Sequence, residues 1–200
     1  GLSEPSKMPG RAYNLPAQSC RVGSILRKRA GSTCSRCYAR KGRYVFADVQ
    51  RALARRLRAI NHPRWVEAMS FLINHYGQRE PYFRWHDSGD LQSLEHLEKI
   101  IEVVKRTPNV RHWLPTREFG IIKRYLKKGG EIPDNLVIRL SAVMIDELPP
   151  DLGLQGSCVT STGAVPEGVY LCPALSQGNV CGSCRACWDP SVKIVAYKLH

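Results

Sequence analysis

Between residues 82 and 143, short apolar runs typical of strands alternate with amphipathic stretches typical of helices. Strands are predicted over residues 82–86, 110–114 and 136–143, and helices over residues 91–106 and 119–128. Strand and helix in alternation, joined by short connections, are typical of right-handed βαβ units and a parallel sheet. The sequence therefore predicts the α/β fold class.

On the N-terminal side of this region, the sequence predicts an irregular segment and two helices. Residues 1–45 are expected to be irregular, since the first 30 are rich in Pro, Gly and Ser and show no sustained apolar period. From Phe46, apolar residues recur at three- or four-residue steps until His62, and a second helix is predicted over residues 64–76. We expect residues 46–145 to form the helices and the βα core.

Residues 146–200 are loop-rich and contain five of the eight cysteines. A segment so poor in periodic apolar residues cannot easily build its own core, so something else must hold it. Within it, residues 192–199 alternate as a strand does and could extend the sheet. Because both terminal segments would share one core with the middle of the chain, we expect a single domain over residues 1–200.

The composition excludes several classes of protein. Apolar residues make up 43% of the chain and charged residues 24%, which excludes global intrinsic disorder. No apolar run approaches the roughly 18–20 residues that cross a bilayer, so we expect no membrane-spanning segment and no membrane partner. The N-terminus has no apolar stretch of the secretory kind, which predicts a cytoplasmic protein.

The net charge of +13 favours polyanionic partners, because cations that contact phosphates release counterions. On the first predicted helix, Arg51, Arg55 and Arg58 share one side, and the nearby Trp65 could offer a stacking surface for bases. No helix-turn-helix or zinc-finger pattern is present, so any binding of DNA or RNA is expected to be nonspecific. The alternative is a solvated helix face with no target.

The strongest motif is a run of three cysteines at three-residue spacing, Cys181, Cys184 and Cys187. Ferredoxins use such a run to wrap a [4Fe–4S] cluster, and Cys172 shortly before it is the natural fourth ligand. Zinc sites more often pair one CxxC with a distant one, but the spacing leaves zinc open as the metal. The alternative is that several of these cysteines bind no metal and are thiols buried in the core.

A second group consists of Cys34 and Cys37, with Cys20 upstream and Cys158 as a fourth ligand across the fold. Basic residues between positions 29 and 41 are expected to lower the pKa of these thiols. The eight cysteines would then form two sets of four, for one or two clusters. The competing division is one cluster with members from both groups, and the remaining cysteines would then be buried thiols.

Two segments resemble radical S-adenosylmethionine enzymes. Cys34 to Ala39 reads CxxCYA, like the cluster-binding stretch of those enzymes, with Cys20 as the preceding cysteine. Ser88, Gly89 and Asp90 are similar to the Gly-Gly-Glu turn that binds the methionine end of their cofactor. The resemblance implies S-adenosylmethionine as a candidate cofactor.

A closer resemblance spans most of the chain. Residues 84–90, 116–118, 172–188 and 195–200 resemble the bacteriophage family called gene product 88. This resemblance implies a phage origin, and therefore the host cytoplasm as location. It also implies a cysteine-bound iron–sulfur site on a partial (β/α) barrel with parallel strands. It implies no reaction.

Polar residues follow two of the predicted strands, where functional groups of βα folds lie. His86 and Asp90 follow the first strand, and Arg117 and Glu118 follow the second. If the strands are neighbours and parallel, these four side chains meet and could bind a small polar cofactor or tune a cluster. The alternative is ordinary helix capping, by Asp90 or Ser93 and by Glu118.

Three other residues complete the candidate list. His112 is expected to pack within the sheet. Tyr197 and His200 are candidates for side chains that contact the metal ligands without binding the metal themselves. Three function classes follow. The first is an iron–sulfur protein for electron transfer or redox sensing with an unidentified redox partner. The second is a radical S-adenosylmethionine enzyme, and the third is a zinc-stabilised nucleic-acid-binding protein.

Overall fold

The structure is a computed structural model that describes residues 1–199, so the candidate His200 lies outside the described residues. The seven strands are β1 Arg11–Tyr13, β2 Tyr82–Trp85, β3 Arg111–Thr116, β4 Leu136–Ser141, β5 Gln155–Thr160, β6 Val169–Leu171 and β7 Ile194–Lys198. The five α-helices are α1 Arg21–Leu26, α2 Ala47–Ala59, α3 Trp65–Gly77, α4 Leu94–Lys105 and α5 Phe119–Lys127.

All seven strands belong to one parallel sheet in the order β1-β2-β3-β4-β5-β7-β6. The predicted α/β class is confirmed, and the sheet is open, consistent with the partial (β/α) barrel that the resemblance implied. The last predicted strand also joins the sheet, because Ala196 of β7 pairs with Cys158 of β5 on one side and Leu171 of β6 on the other.

Three strands and one helix differ from the sequence-based expectation. β1 and α1 lie in the segment expected to be irregular, and β5 and β6 lie in the segment expected to be loops. A three-residue strand is too short to show a period, and β5 contains Gly, Ser and Cys rather than a regular apolar alternation. These strands form because a neighbouring parallel strand satisfies their backbone groups, which is a tertiary effect.

The helix α4 begins three residues later than predicted. The Ser93 hydroxyl accepts a hydrogen bond from His96 N at 3.0 Å and so caps the helix, as one of the capping alternatives proposed. Residues 91 and 92 therefore belong to the turn that follows β2. None of the helices within residues 1–199 is long and apolar enough to cross a membrane.

The two faces of the sheet are covered differently, since alternate residues of a strand point to opposite faces. Phe83, Trp85 and Leu114 lie in the main core with residues of α3, α4 and α5, and we call this the helix face. The opposite face, the open face, packs against the C-terminal segment through Trp113 and Val195. The loop-rich C-terminal segment is thus held by the sheet.

Candidate functional site

All eight cysteines are free thiols. Seven of them form two groups, which sit in different parts of the fold. The N-terminal cysteine group contains Cys20, Cys34 and Cys37, and the C-terminal cysteine group contains Cys172, Cys181, Cys184 and Cys187.

The N-terminal cysteine group lies at the carboxyl edge of the sheet. Cys20 is the N-cap residue of α1, and a Cβ added at Gly23 would lie 3.7 Å from Cys20 Sγ and 3.6 Å from Cys34 Sγ. The Thr33 hydroxyl donates to the carbonyl of Ala142, just beyond β4, at 3.2 Å. The segment that contains Cys34 therefore passes over the carboxyl ends of the strands. The sulfur atoms of Cys20 and Cys34 lie beside the first turn of α1.

Three of the four polar candidates lie beside this group. The Glu118 carboxylate accepts from Val22 N, in the first turn of α1, at 3.0 Å. The Asp90 carboxylate accepts from Thr116 Oγ1 at 2.6 Å and from Arg117 N at 2.9 Å, so it joins the end of β2 to the end of β3. These carboxylates hold neighbouring elements together and do not cap the helices that follow them.

The expected lowering of the thiol pKa values is wrong for two cysteines. Burial raises the pKa of Cys20 to about 12, and the carboxylate of Asp90 acts in the same direction. Burial also raises the pKa of Cys34, against an opposing effect of Arg117. The flanking basic residues do not decide the result, because the loss of hydration of a buried thiolate outweighs them.

His86, the fourth polar candidate, points away from this group. It has a φ of +59°, is 3% exposed, and its ring lies 5.4 Å from that of His96 on α4. Burial lowers its pKa well below the usual value. His112 packs in the sheet as predicted, accepting from Trp85 Nε1 at 3.2 Å and contacting Thr107 Oγ1 at 2.9 Å.

The C-terminal cysteine group lies on the open face. Cys187 Sγ lies 3.2 Å from the Tyr197 hydroxyl, and Cys184 Sγ lies 3.4 Å from the Tyr170 hydroxyl. Burial raises the pKa of Cys181, and the thiols of Cys172 and Cys184 raise it further. Burial also raises the pKa of Cys187 to about 11. The four thiols are therefore close enough to influence one another's ionisation.

Arg139, which the sequence analysis did not single out, anchors this group. Its guanidinium is fully buried in β4 and donates to the carbonyls of Ala186 at 2.7 Å and Cys187 at 3.0 Å. It also donates to the carbonyls of Asp189 and Val192, both at 2.9 Å. The available sequence signal was an arginine inside an otherwise apolar strand, a position that requires buried partners.

Two buried donors lie beside the C-terminal cysteine group. The Arg84 guanidinium pairs with Asp87 at 3.0 Å and stacks 4.3 Å over the Trp113 ring. Within residues 1–199, neither Arg84 Nε nor Trp113 Nε1 has a hydrogen-bond partner. Trp113 belongs to the same packed cluster as Cys187, and Arg84 opposes the rise in the pKa of Cys187. The open face therefore presents donors without acceptors next to thiols.

Cys158 lies on the opposite face of the sheet from the C-terminal cysteine group. It packs against Ala142 and Ala196, whereas Val195 and Tyr197 point to the other face with the C-terminal cysteine group. The sheet itself separates Cys158 from that group.

Two further observations concern metal and nucleic acid. Among the described residues, no three His, Cys, Asp or Glu side chains are placed so that they could hold one metal ion. Arg51, Arg55 and Arg58 are exposed as expected. The proposed stacking role of Trp65 is wrong, because its side chain is 4% exposed and donates to the Tyr13 hydroxyl at 3.0 Å.

Comparison with known proteins identifies a family. The family model described as Gene product 88 matches residues 2–156, more than half of the chain. No curated protein and no solved structure matches the sequence. The matched range contains the N-terminal cysteine group and the carboxyl-edge residues Asp90, Arg117 and Glu118.

Proposed function

The chain belongs to the gene product 88 family, and we propose that it is an iron–sulfur protein that works in electron transfer or redox sensing. The C-terminal cysteine group would hold a [4Fe–4S] cluster. The observation that carries this proposal is the placement of four free thiols on the open face, next to two buried donors that lack acceptors.

The thiols of the described residues are not placed to hold a metal ion, so cluster binding would have to draw them together, and the groups around them support the proposal. Cluster sulfides and thiolates accept hydrogen bonds, so a cluster would supply acceptors for Arg84 Nε and Trp113 Nε1. A cluster held by four thiolates is anionic, and the buried charges of Arg84 and Arg139 would offset part of that charge. Hydrogen bonds to cluster sulfur also set the reduction potential.

Burial raises the pKa values of Cys181 and Cys187, so both thiols carry their protons at neutral pH and neither is activated as a nucleophile. A metal removes these protons on binding, so its binding free energy also organises the loop-rich segment. When bound, the cluster supplies one-electron redox chemistry, while the Tyr170 and Tyr197 hydroxyls position Cys184 and Cys187.

The proposal predicts which cysteines retain iron in protein purified without oxygen. We expect Cys184→Ser to lose the iron and acid-labile sulfide of the C-terminal cysteine group, with a matching loss of visible absorption. Cys158→Ala is the matched control, because Cys158 lies across the sheet, and it should keep the wild-type metal content. Colourless wild-type protein that contains zinc and no sulfide would overturn the proposal.

A second candidate function is suggested by the N-terminal cysteine group. Three thiols lie at the carboxyl edge beside Asp90 and Arg117. A cluster held by only three cysteines keeps one iron open, as a radical S-adenosylmethionine enzyme requires. The CxxCYA segment and the turn at Gly89, with its φ of +81°, support this candidate.

This candidate predicts cleavage of S-adenosylmethionine by the reduced protein. With dithionite as the electron donor, we expect 5′-deoxyadenosine from the wild type and from Cys184→Ser, but not from Cys34→Ser. Chromatography of the nucleoside products measures the yield. Absence of 5′-deoxyadenosine from wild-type protein that retains iron on the N-terminal cysteine group would refute the candidate and leave the first proposal intact.

A further inference from the structure

The stretch from residue 5 to residue 47 has an unusual charge distribution. It contains ten Lys and Arg residues and no Asp or Glu. Of these ten, only Arg11 forms an ion pair within residues 1–199, with Glu4 just outside the stretch. Cations without acidic neighbours keep their full attraction for an external polyanion, because no internal charge neutralises them.

Part of this stretch forms a pocket next to the N-terminal cysteine group. The pocket is lined by Ser24, Arg27, Lys28 and Arg40. Arg27 and Lys28 are exposed, and Arg40 is half-buried with Nη2 3.5 Å from Ser24 Oγ. Three cations and one hydroxyl around a single hollow are the donors that a phosphate group takes.

Exposed aromatic side chains are interleaved with these cations along the chain. Tyr38 is 51% exposed and lies two residues before Arg40, and Phe46 is 60% exposed and follows Arg43. The Tyr38 hydroxyl donates to the Asp87 carbonyl, which holds its exposed ring in place, and the Phe46 ring is open to solvent. Aromatic faces next to a cationic track are the elements with which proteins bind unpaired bases.

We propose that the pocket residues Ser24, Arg27, Lys28 and Arg40, together with Tyr38 and Phe46 of the same stretch, bind single-stranded nucleic acid. The pocket takes a backbone phosphate, and the two aromatic rings stack on bases. The choice of a single strand follows from the rings, because the bases of a duplex are not free to stack on them. DNA and RNA share the chemistry that these residues recognise, so both are expected to bind.

The test is the affinity of the purified protein for a fluorescent single-stranded oligonucleotide, measured by anisotropy over a series of salt concentrations. We expect R27A/K28A to lose about tenfold in affinity and to reduce the salt slope by about 0.7, the value for the one phosphate that the pocket takes. The matched control is K123A/K127A, which removes two exposed lysines of α5 and should bind like the wild type.

Phe46→Ala tests the stacking separately, and we expect at least about a fivefold loss for the single strand with no change in salt slope. Equal losses in R27A/K28A and K123A/K127A would overturn the proposal, since binding would then follow net charge alone. Binding of a duplex as tight as that of the single strand, with Phe46→Ala unchanged, would overturn it too.

Discussion

Replacing Arg139 with methionine is expected to destabilise the protein by about 3–5 kcal/mol, the range for removing one partner from a buried charged interaction. The guanidinium is fully buried and holds four carbonyls of residues 186–192 at 2.7–3.0 Å. Methionine fills a similar volume but donates nothing, so these carbonyls lose their partner in a site that water reaches poorly. The C-terminal segment should then detach from the sheet.

Urea unfolding, followed by tryptophan fluorescence, measures the change, and Trp188 reports the segment directly because it donates to the Phe83 carbonyl at 2.9 Å. Arg111→Met is the matched control. Arg111 begins β3 and is exposed, so its replacement should shift the free energy of unfolding by no more than about 0.5 kcal/mol. An Arg139→Met protein as stable as Arg111→Met would contradict the anchoring role.

Acidification is expected to destabilise the protein between about pH 6.5 and pH 4. Burial lowers the pKa values of His96 and His112 to about 3, so both stay neutral in the folded state while the unfolded chain protonates near its ordinary value. The unfolded state therefore binds more protons in this window, and stability falls as pH falls. At pH 5 each histidine costs about 2 kcal/mol relative to pH 7.5. His86 acts in the same direction.

One group opposes this trend. Burial raises the pKa of Asp90 to about 6, so the folded state takes up that proton more readily than the unfolded chain. This uptake offsets part of the loss of stability.

Urea midpoints from pH 7.5 to pH 4.5 measure the net effect of pH on stability. His112→Gln should lower stability at pH 7.5 and flatten the pH dependence by about 2 kcal/mol. A curve for His112→Gln parallel to the wild type would refute the assignment.

The helices and central strands could be predicted from the sequence because their signal is local. The apolar period of α2 to α5 and the runs of β2, β3 and β4 lie in the residues that form them. The short strands β1, β5 and β6 carry no such signal. They become strands only because a parallel neighbour pairs with their backbone. That neighbour lies outside the short stretch of sequence from which a strand is predicted.

The candidate site likewise has features that could be predicted from the sequence and features that could not. The run of Cys181, Cys184 and Cys187 is visible in the sequence because its three-residue spacing places the thiols in one corner. The same holds for the excess of cations before residue 47. The polar residues Asp90, Arg117 and Glu118 could be placed together from the rule that parallel strands end at the same edge.

Only the tertiary structure decided that Cys158 and the C-terminal cysteine group lie on opposite faces of the sheet. The alternation of β5 and β7 places Cys158 on one face of the sheet and Tyr197, with Cys187, on the other. Which face a strand residue takes depends on register and pairing, which are set by partners far along the chain. The same reason explains Arg139, since the carbonyls that satisfy its buried charge lie about fifty residues away.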